Sequence, residues 1–120
     1  MKVLVVAAHP DDEVLGCGGT IAKHTSQGDQ VTSLFLADGV GARGTDNRDA
    51  LAERMAAAAA AAEILGCESP RHENLPDNQL DTLPLLELAQ AVERAVEDLQ
   101  PDRIYTHHRG DLNVDHQLTH

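Results

Sequence analysis

Residues 3–8, Val-Leu-Val-Val-Ala-Ala, run straight into His9-Pro10-Asp11-Asp12-Glu13. A continuous apolar run rich in β-branched residues has no polar face to turn to solvent. It therefore reads as a strand buried on both sides, the kind found in parallel sheets covered by helices. Pro10 disfavours helical geometry at His9, so the strand ends at a bend crowded with acids. The same alternation continues downstream. Residues 12–24 read as a helix with Val14, Leu15, Cys17, Gly18 and Ile21 on its buried side, Gln27-Gly28-Asp29 as a turn, and residues 31–37 as a second strand. Asp38-Gly39 opens a polar loop, a long helix spans Arg48–Leu65, and Gly66 closes it.

A short extended piece near residues 69–74 precedes a loop holding Pro76-Asp77-Asn78. Thr82-Leu83-Pro84 starts a helix whose stripe of Leu85, Leu86, Leu88, Ala89, Val92, Val96 and Leu99 runs to Gln100. Residues 103–106 form a third clear strand. Strands alternating with helices predict an α/β layer architecture built from βαβ units. The last five residues, 116–120, read as a helix just begun, so the chain is expected to stop short of its domain's natural end.

The core available to this fold is thin. The 120 residues are 42% hydrophobic but only 2% aromatic, and Ala56 to Ala62 are seven alanines in a row. Alanine favours helix but removes little area from water. Nine basic against twenty acidic residues give a formal net charge of -11, which repels phosphate backbones and anionic lipid surfaces. Nucleic acid is therefore not an expected partner, and no apolar stretch predicts membrane insertion. With two cysteines, no CxxC pair and no signal-peptide pattern, the expected location is cytoplasmic.

Ligands of parallel sheets gather outside the carboxyl ends of the strands. Two such ends are rich in metal-binding side chains: His9, Asp11 and Asp12 after the first strand, and His107, His108, Asp111, Asp115 and His116 after the third. Two imidazoles and one carboxylate, with water in the fourth position, make a catalytic zinc site. His9 and Asp12 can bend to one point across the turn, with His116 closing the triad. Asp11 then stands beside the metal water as general base and acid. Asp115, beside His116, is placed to orient a ligand imidazole. A capped turn with solvent-facing carboxylates, a non-catalytic metal-binding domain and a different α/β enzyme remain open readings of the same residues.

Ala8-His9-Pro10-Asp11-Asp12-Glu13, an Asp-Gly after the second strand, Pro76-Asp77 and the later Asp115-His116 together resemble the PIG-L/LmbE-like zinc-dependent N-deacetylase family. The resemblance covers essentially the whole chain. It implies a Rossmann-like, LmbE-like three-layer sandwich with a mostly parallel sheet, of which residues 1–120 form the N-terminal portion of a single domain. It implies Zn2+ on His9, Asp12 and His116, with Asp11 as general base. The implied substrate is a small N-acetyl sugar conjugate of the N-acetylglucosamine type, and a homo-oligomer is left open.

The resemblance also implies that Arg54 and Asp77 contact substrate, and that Glu13 supports the turn or a ligand. Many family members carry His-x-Asp-His at the second cluster, where this chain has Asn113-Val114-Asp115-His116. Asn113 can donate to a developing oxyanion but cannot shuttle a proton. Asp11 thus carries both proton transfers unless His107 or His108 reaches in. Arg43, Arg48 and Arg109 are candidates for a substrate phosphate. Cys17, Cys67, His24 and His72 are expected to be structural, with His72 in a loop. Gly16, Gly18 and Gly19 lie within a helix rather than before one, which argues against dinucleotide binding.

Overall fold

A computed structural model describes residues 1–39 and 48–120. Among the described residues, four strands, β1 (Lys2–Ala7), β2 (Gln30–Ala37), β3 (Arg71–Leu75) and β4 (Arg103–Tyr105), form one sheet in the order β3-β2-β1-β4, and each pairing there is parallel. The helices are α1 (Asp12–Ser26), α2 (Arg48–Leu65), α3 (Leu85–Leu99) and α4 (Val114–Thr119).

Side chains alternate across each strand, so β1 and β2 bury a separate set on each face. Leu4, Val6, Leu34 and Leu36 meet Leu88, Ala91 and Ala95 of α3, with Leu118 of α4 alongside. On the other face, Val3, Val5 and Val31 pack on Ile21 of α1, while Ala7 and Phe35 pack on Ala58 of α2. The result is helix, sheet, helix: the three-layer sandwich that the family resemblance implies.

Several local expectations are corrected. Val14 and Leu15 are exposed, and α1 instead buries Glu13, Ile21 and His24. The cause is a break in the helix at Cys17 (φ -143°, ψ 22°), which leaves the first turn out of phase with the rest. Leu85 and Leu86 also face solvent; α3 presents Leu88, Ala91 and Ala95, whose small alanines let the helix lie close to the strands. His72 lies in β3 rather than a loop, its ring 5.4 Å from that of Phe35.

A 3-10 turn at Leu80–Thr82 was not foreseen, and it inserts a fully buried Leu80 into the α3 face. Helix α4 begins at Val114, ahead of His116, because the Asn113 side-chain oxygen caps it by accepting the Asp115 and His116 amides. Since β1 and β4 are neighbours in the sheet, the segments leaving their carboxyl ends run side by side.

Candidate metal centre

The end of β1 is clamped before any donor is placed. The Ala8 carbonyl accepts the Ala37 N–H at 2.7 Å, and its N–H donates to His107 Nε2 at 2.9 Å. Pro10, which has no N–H, then turns the chain. Asp11 follows at φ 150°, a conformation that costs a non-glycine residue about 1–3 kcal/mol. Glu13, buried beneath the turn, accepts the Asp11 N–H at 3.0 Å and helps hold it there. The strained turn sends neighbouring carboxylates in different directions: Asp12 inward to the histidines, Asp11 towards Arg54.

Three donor atoms converge. Asp12 Oδ2 is 3.2 Å from His9 Nδ1 and 3.1 Å from His116 Nε2, and the two nitrogens are 3.3 Å apart. A tetrahedral zinc with bonds of about 2.0–2.1 Å sets its ligand atoms about 3.3–3.4 Å from one another, so this triangle fits the ion. The far nitrogen of His9 is supported as metal-bound imidazoles usually are, with Nε2 2.9 Å from Asp115 Oδ2. Asp77 Oδ1 is 3.1 Å from the same Nε2. His107 stacks flat on His116, with centroids 3.9 Å apart and planes 13° from parallel.

The electrostatics separate the two aspartates. Burial would raise the Asp12 carboxyl, but hydrogen bonds from His9 and the charge of His116 hold it below its ordinary value. Asp11 moves the other way, raised by burial and by repulsion from Asp12 despite the Arg54 guanidinium. Burial opposes charge on His9, yet hydrogen bonds to Asp12 and Asp115 prevail and push the imidazole up to about 9. A metal must therefore displace a proton from it. Burial and the adjacent His116 lower His107.

The remaining sequence-derived candidates fall into place unevenly. Asp115 has no exposed surface and supports a ligand imidazole, that of the distant His9 rather than of its sequence neighbour His116; its oxygens also accept the Asn78 and Leu80 amides. Helical geometry explains the difference, because adjacent residues on a helix point about 100° apart. His116 Nδ1 instead meets Asp111 Oδ2 at 2.9 Å, a partner that sequence reasoning grouped with the cluster without giving it a task. Its signal was available in the Asp-x-Asn spacing, which lets one carboxylate oxygen accept the Asn113 amide in a tight turn.

Arg54 approaches Asp11, Nη2 to Oδ2, at 3.7 Å, and its buried Nε has no hydrogen-bond partner among the described residues. Neither extra histidine brings a proton to the triangle by the atoms that are engaged. His107 Nε2 accepts from Ala8, and the exposed His108 uses Nδ1 to accept the Gly110 N–H. Arg48 begins α2 and Arg109 is exposed after β4, while Arg43 lies outside the described residues.

The profile of one protein family, described as PIG-L, GlcNAc-PI de-N-acetylase, matches residues 4–120. The uncharacterized deacetylase YaiS of Escherichia coli (strain K12) is 31% identical over 119 residues, covering 95% of this chain and 61% of that protein. Among solved structures, N,N'-diacetylchitobiose deacetylase from Pyrococcus horikoshii, complexed with its inhibitor, has a TM-score of 0.84 at 29% identity, covering 98% of this chain and 46% of that one. GalB, the 4-carboxy-2-hydroxymuconate hydratase from Pseudomonas putida KT2440, has a TM-score of 0.78 at 30% identity, covering 98% and 52%. The chain thus spans about half to six-tenths of the length of these relatives. With the family profile matched from the first buried strand through the last helix, the chain belongs to the PIG-L family.

Proposed function

We propose that the chain carries the reaction centre of a zinc-dependent N-deacetylase, which hydrolyses the acetamide of an N-acetylglucosamine-type sugar derivative. The observation that carries this reading is the triangle of His9 Nδ1, Asp12 Oδ2 and His116 Nε2, with the Asp11 carboxyl near enough to Asp12 to be raised by its charge. Zinc held by those donors supplies Lewis acidity and a water of lowered pKa.

The protein's own groups do the rest. Asp11, whose carboxyl is raised above its ordinary value, takes the proton of the attacking water and returns it to the departing amine nitrogen. The C–N bond breaks as acetate forms and the free amine leaves. Asn113 commits Oδ1 to the α4 cap, and its amide NH2 is the donor offered to the oxyanion. Arg54, with an unpaired Nε, and Asp77 receive the sugar. Glu13 and Asp115 act on the turn and on His9, not on substrate.

A second reading has a specific basis. The Pseudomonas relative, named a hydratase, shares this fold at 30% identity, so water activation at such a site is compatible with addition to a carbon–carbon double bond. The zinc-loaded chain should be offered N-acetylated glucosamine saccharides and, separately, 4-carboxy-2-hydroxymuconate. Acetate release that is lost on chelation and in His9→Ala supports the deacetylase. Hydration of the muconate without acetate release favours the second reading, and bound zinc with neither reaction makes the domain a non-catalytic metal binder.

A further inference from the structure

Asp111, in the turn after β4, is held more firmly than a surface loop residue needs to be. Its Oδ2 lies 2.9 Å from His116 Nδ1, and its Oδ1 accepts the Asn113 N–H at 2.9 Å. Its backbone is fixed as well. The Asp111 N–H donates to the His108 carbonyl at 3.0 Å, and Gln117 Nε2 donates to the Asp111 carbonyl at 2.6 Å. The two carboxylate oxygens are thus committed in different directions, one to the loop and one to the imidazole.

We infer that Asp111 is a positioning residue of the metal centre: by accepting Nδ1–H of His116, it presents the Nε2 lone pair to the ion. This rests on His9, Asp12 and His116 being the donor set. A neutral imidazole carries one N–H and one lone pair, so an acceptor at Nδ1 selects the tautomer whose Nε2 is free. The stacked His107 ring restrains the plane of His116 but makes no in-plane hydrogen bond that would choose between the nitrogens. Asp111 supplies that choice.

An asparagine at this position has one carbonyl oxygen for two donors. If that oxygen stays with the Asn113 N–H, the amide NH2 faces His116 Nδ1 and donates to it. The proton is then forced onto Nε2, the atom needed by the ion. Asp115 supports His9 differently, being fully buried and tied to two backbone amides. The Asp111 side chain keeps 36% of its surface exposed, so its replacement bears on the imidazole more than on the core.

Zinc affinity is measured by chelator competition on the unmodified chain and on Asp111→Asn, alongside thermal unfolding of both metal-free proteins. Affinity is expected to fall about 10- to 100-fold, with metal-free melting unchanged. In a His116→Ala background, Asp111→Asn is expected to cause no further loss, because its effect passes through the missing ring. Unmodified affinity in Asp111→Asn overturns the inference, and so does an equal loss in the His116→Ala background.

If Asp111→Asn melts early, 15N NMR of the unmodified metal-free chain decides instead. The Nδ1–H tautomer of His116 is expected, and the Nε2–H tautomer overturns the inference. An unmodified chain that binds no zinc sinks the metal-centre reading, and this inference with it.

Discussion

His9 Nε2 lies 2.9 Å from Oδ2 of Asp115, a carboxylate with no exposed surface. Asp115 also accepts the Asn78 and Leu80 amides, so one buried side chain joins a candidate metal ligand to the segment that carries Asp77. Asp115→Ala would leave two backbone amides without their acceptor and the His9 imidazole with Asp77 alone. Losing one partner of a buried pair of this kind typically destabilises by about 3–5 kcal/mol. Denaturant unfolding at neutral pH is the measurement, and a cost well below that range would mean that the segment finds other partners.

The metal-free chain should lose stability on the alkaline side. The folded His9 imidazole, at about 9, lies above its ordinary 6.5, so its contribution is complete below 6.5 and disappears as pH rises through 9. Asp12 works with the opposite sign. Its contribution is present above its ordinary 3.8 and is lost as pH falls through its lower folded value. Melting temperatures of the metal-free chain should therefore decline from pH 6.5 to 9, and saturating zinc should remove much of that decline. Calorimetry in two buffers of different ionisation heat should register proton release as zinc binds. Equal apparent heats would contradict a protonated His9.

Asp11→Asn should separate binding from chemistry. Asp11 is not one of the three converging donors, so zinc affinity should hold while turnover falls about 10²- to 10⁴-fold, the usual contribution of a general acid–base group. Near-normal turnover would assign the proton transfer to another group.

Gly39 is tied to Arg54 by close packing. A Cβ there would sit 3.2 Å from Arg54 Nε and 3.4 Å from Pro10 Cδ, at a φ of +76°. Gly39→Ala should cost about 1–2 kcal/mol from backbone conformation alone. It should also shift the guanidinium, raising KM for an N-acetyl sugar more than it lowers kcat. A kcat loss without a KM change would detach Arg54 from substrate binding.

The sequence disclosed the layered α/β build because residues 3–8 are apolar on both faces and strands alternate with helices along the chain. It also disclosed which side chains could meet, since His9, Asp12 and His116 all follow strand ends that a parallel sheet brings to one edge. Helical phase was harder to read. The break at Cys17 turned Val14 and Leu15 outward; Gly16, Gly18 and Gly19 around it weaken the helix there, but they do not say which way its phase will slip. Pairing at the centre was hidden for a related reason: Asp115 adjoins His116 in sequence but serves His9, more than a hundred positions away. Adjacency along a helix is a poor guide to direction, and the partner was fixed by how α4 lies against β1.

His116 Nε2 and His9 Nδ1 are 3.3 Å apart in space and 107 positions apart along the chain. Bringing such distant segments together carries a loop-closure cost, met here through the three-residue pairing of β4 with β1. An ion gripping both histidines would need that closure already made by the folded sheet, so it would stabilise the folded chain by mass action. Affinity for the ion is then a property of the whole topology. Val3, Leu4 and Val5, which pair with Arg103, Ile104 and Tyr105, help to set it without touching the metal.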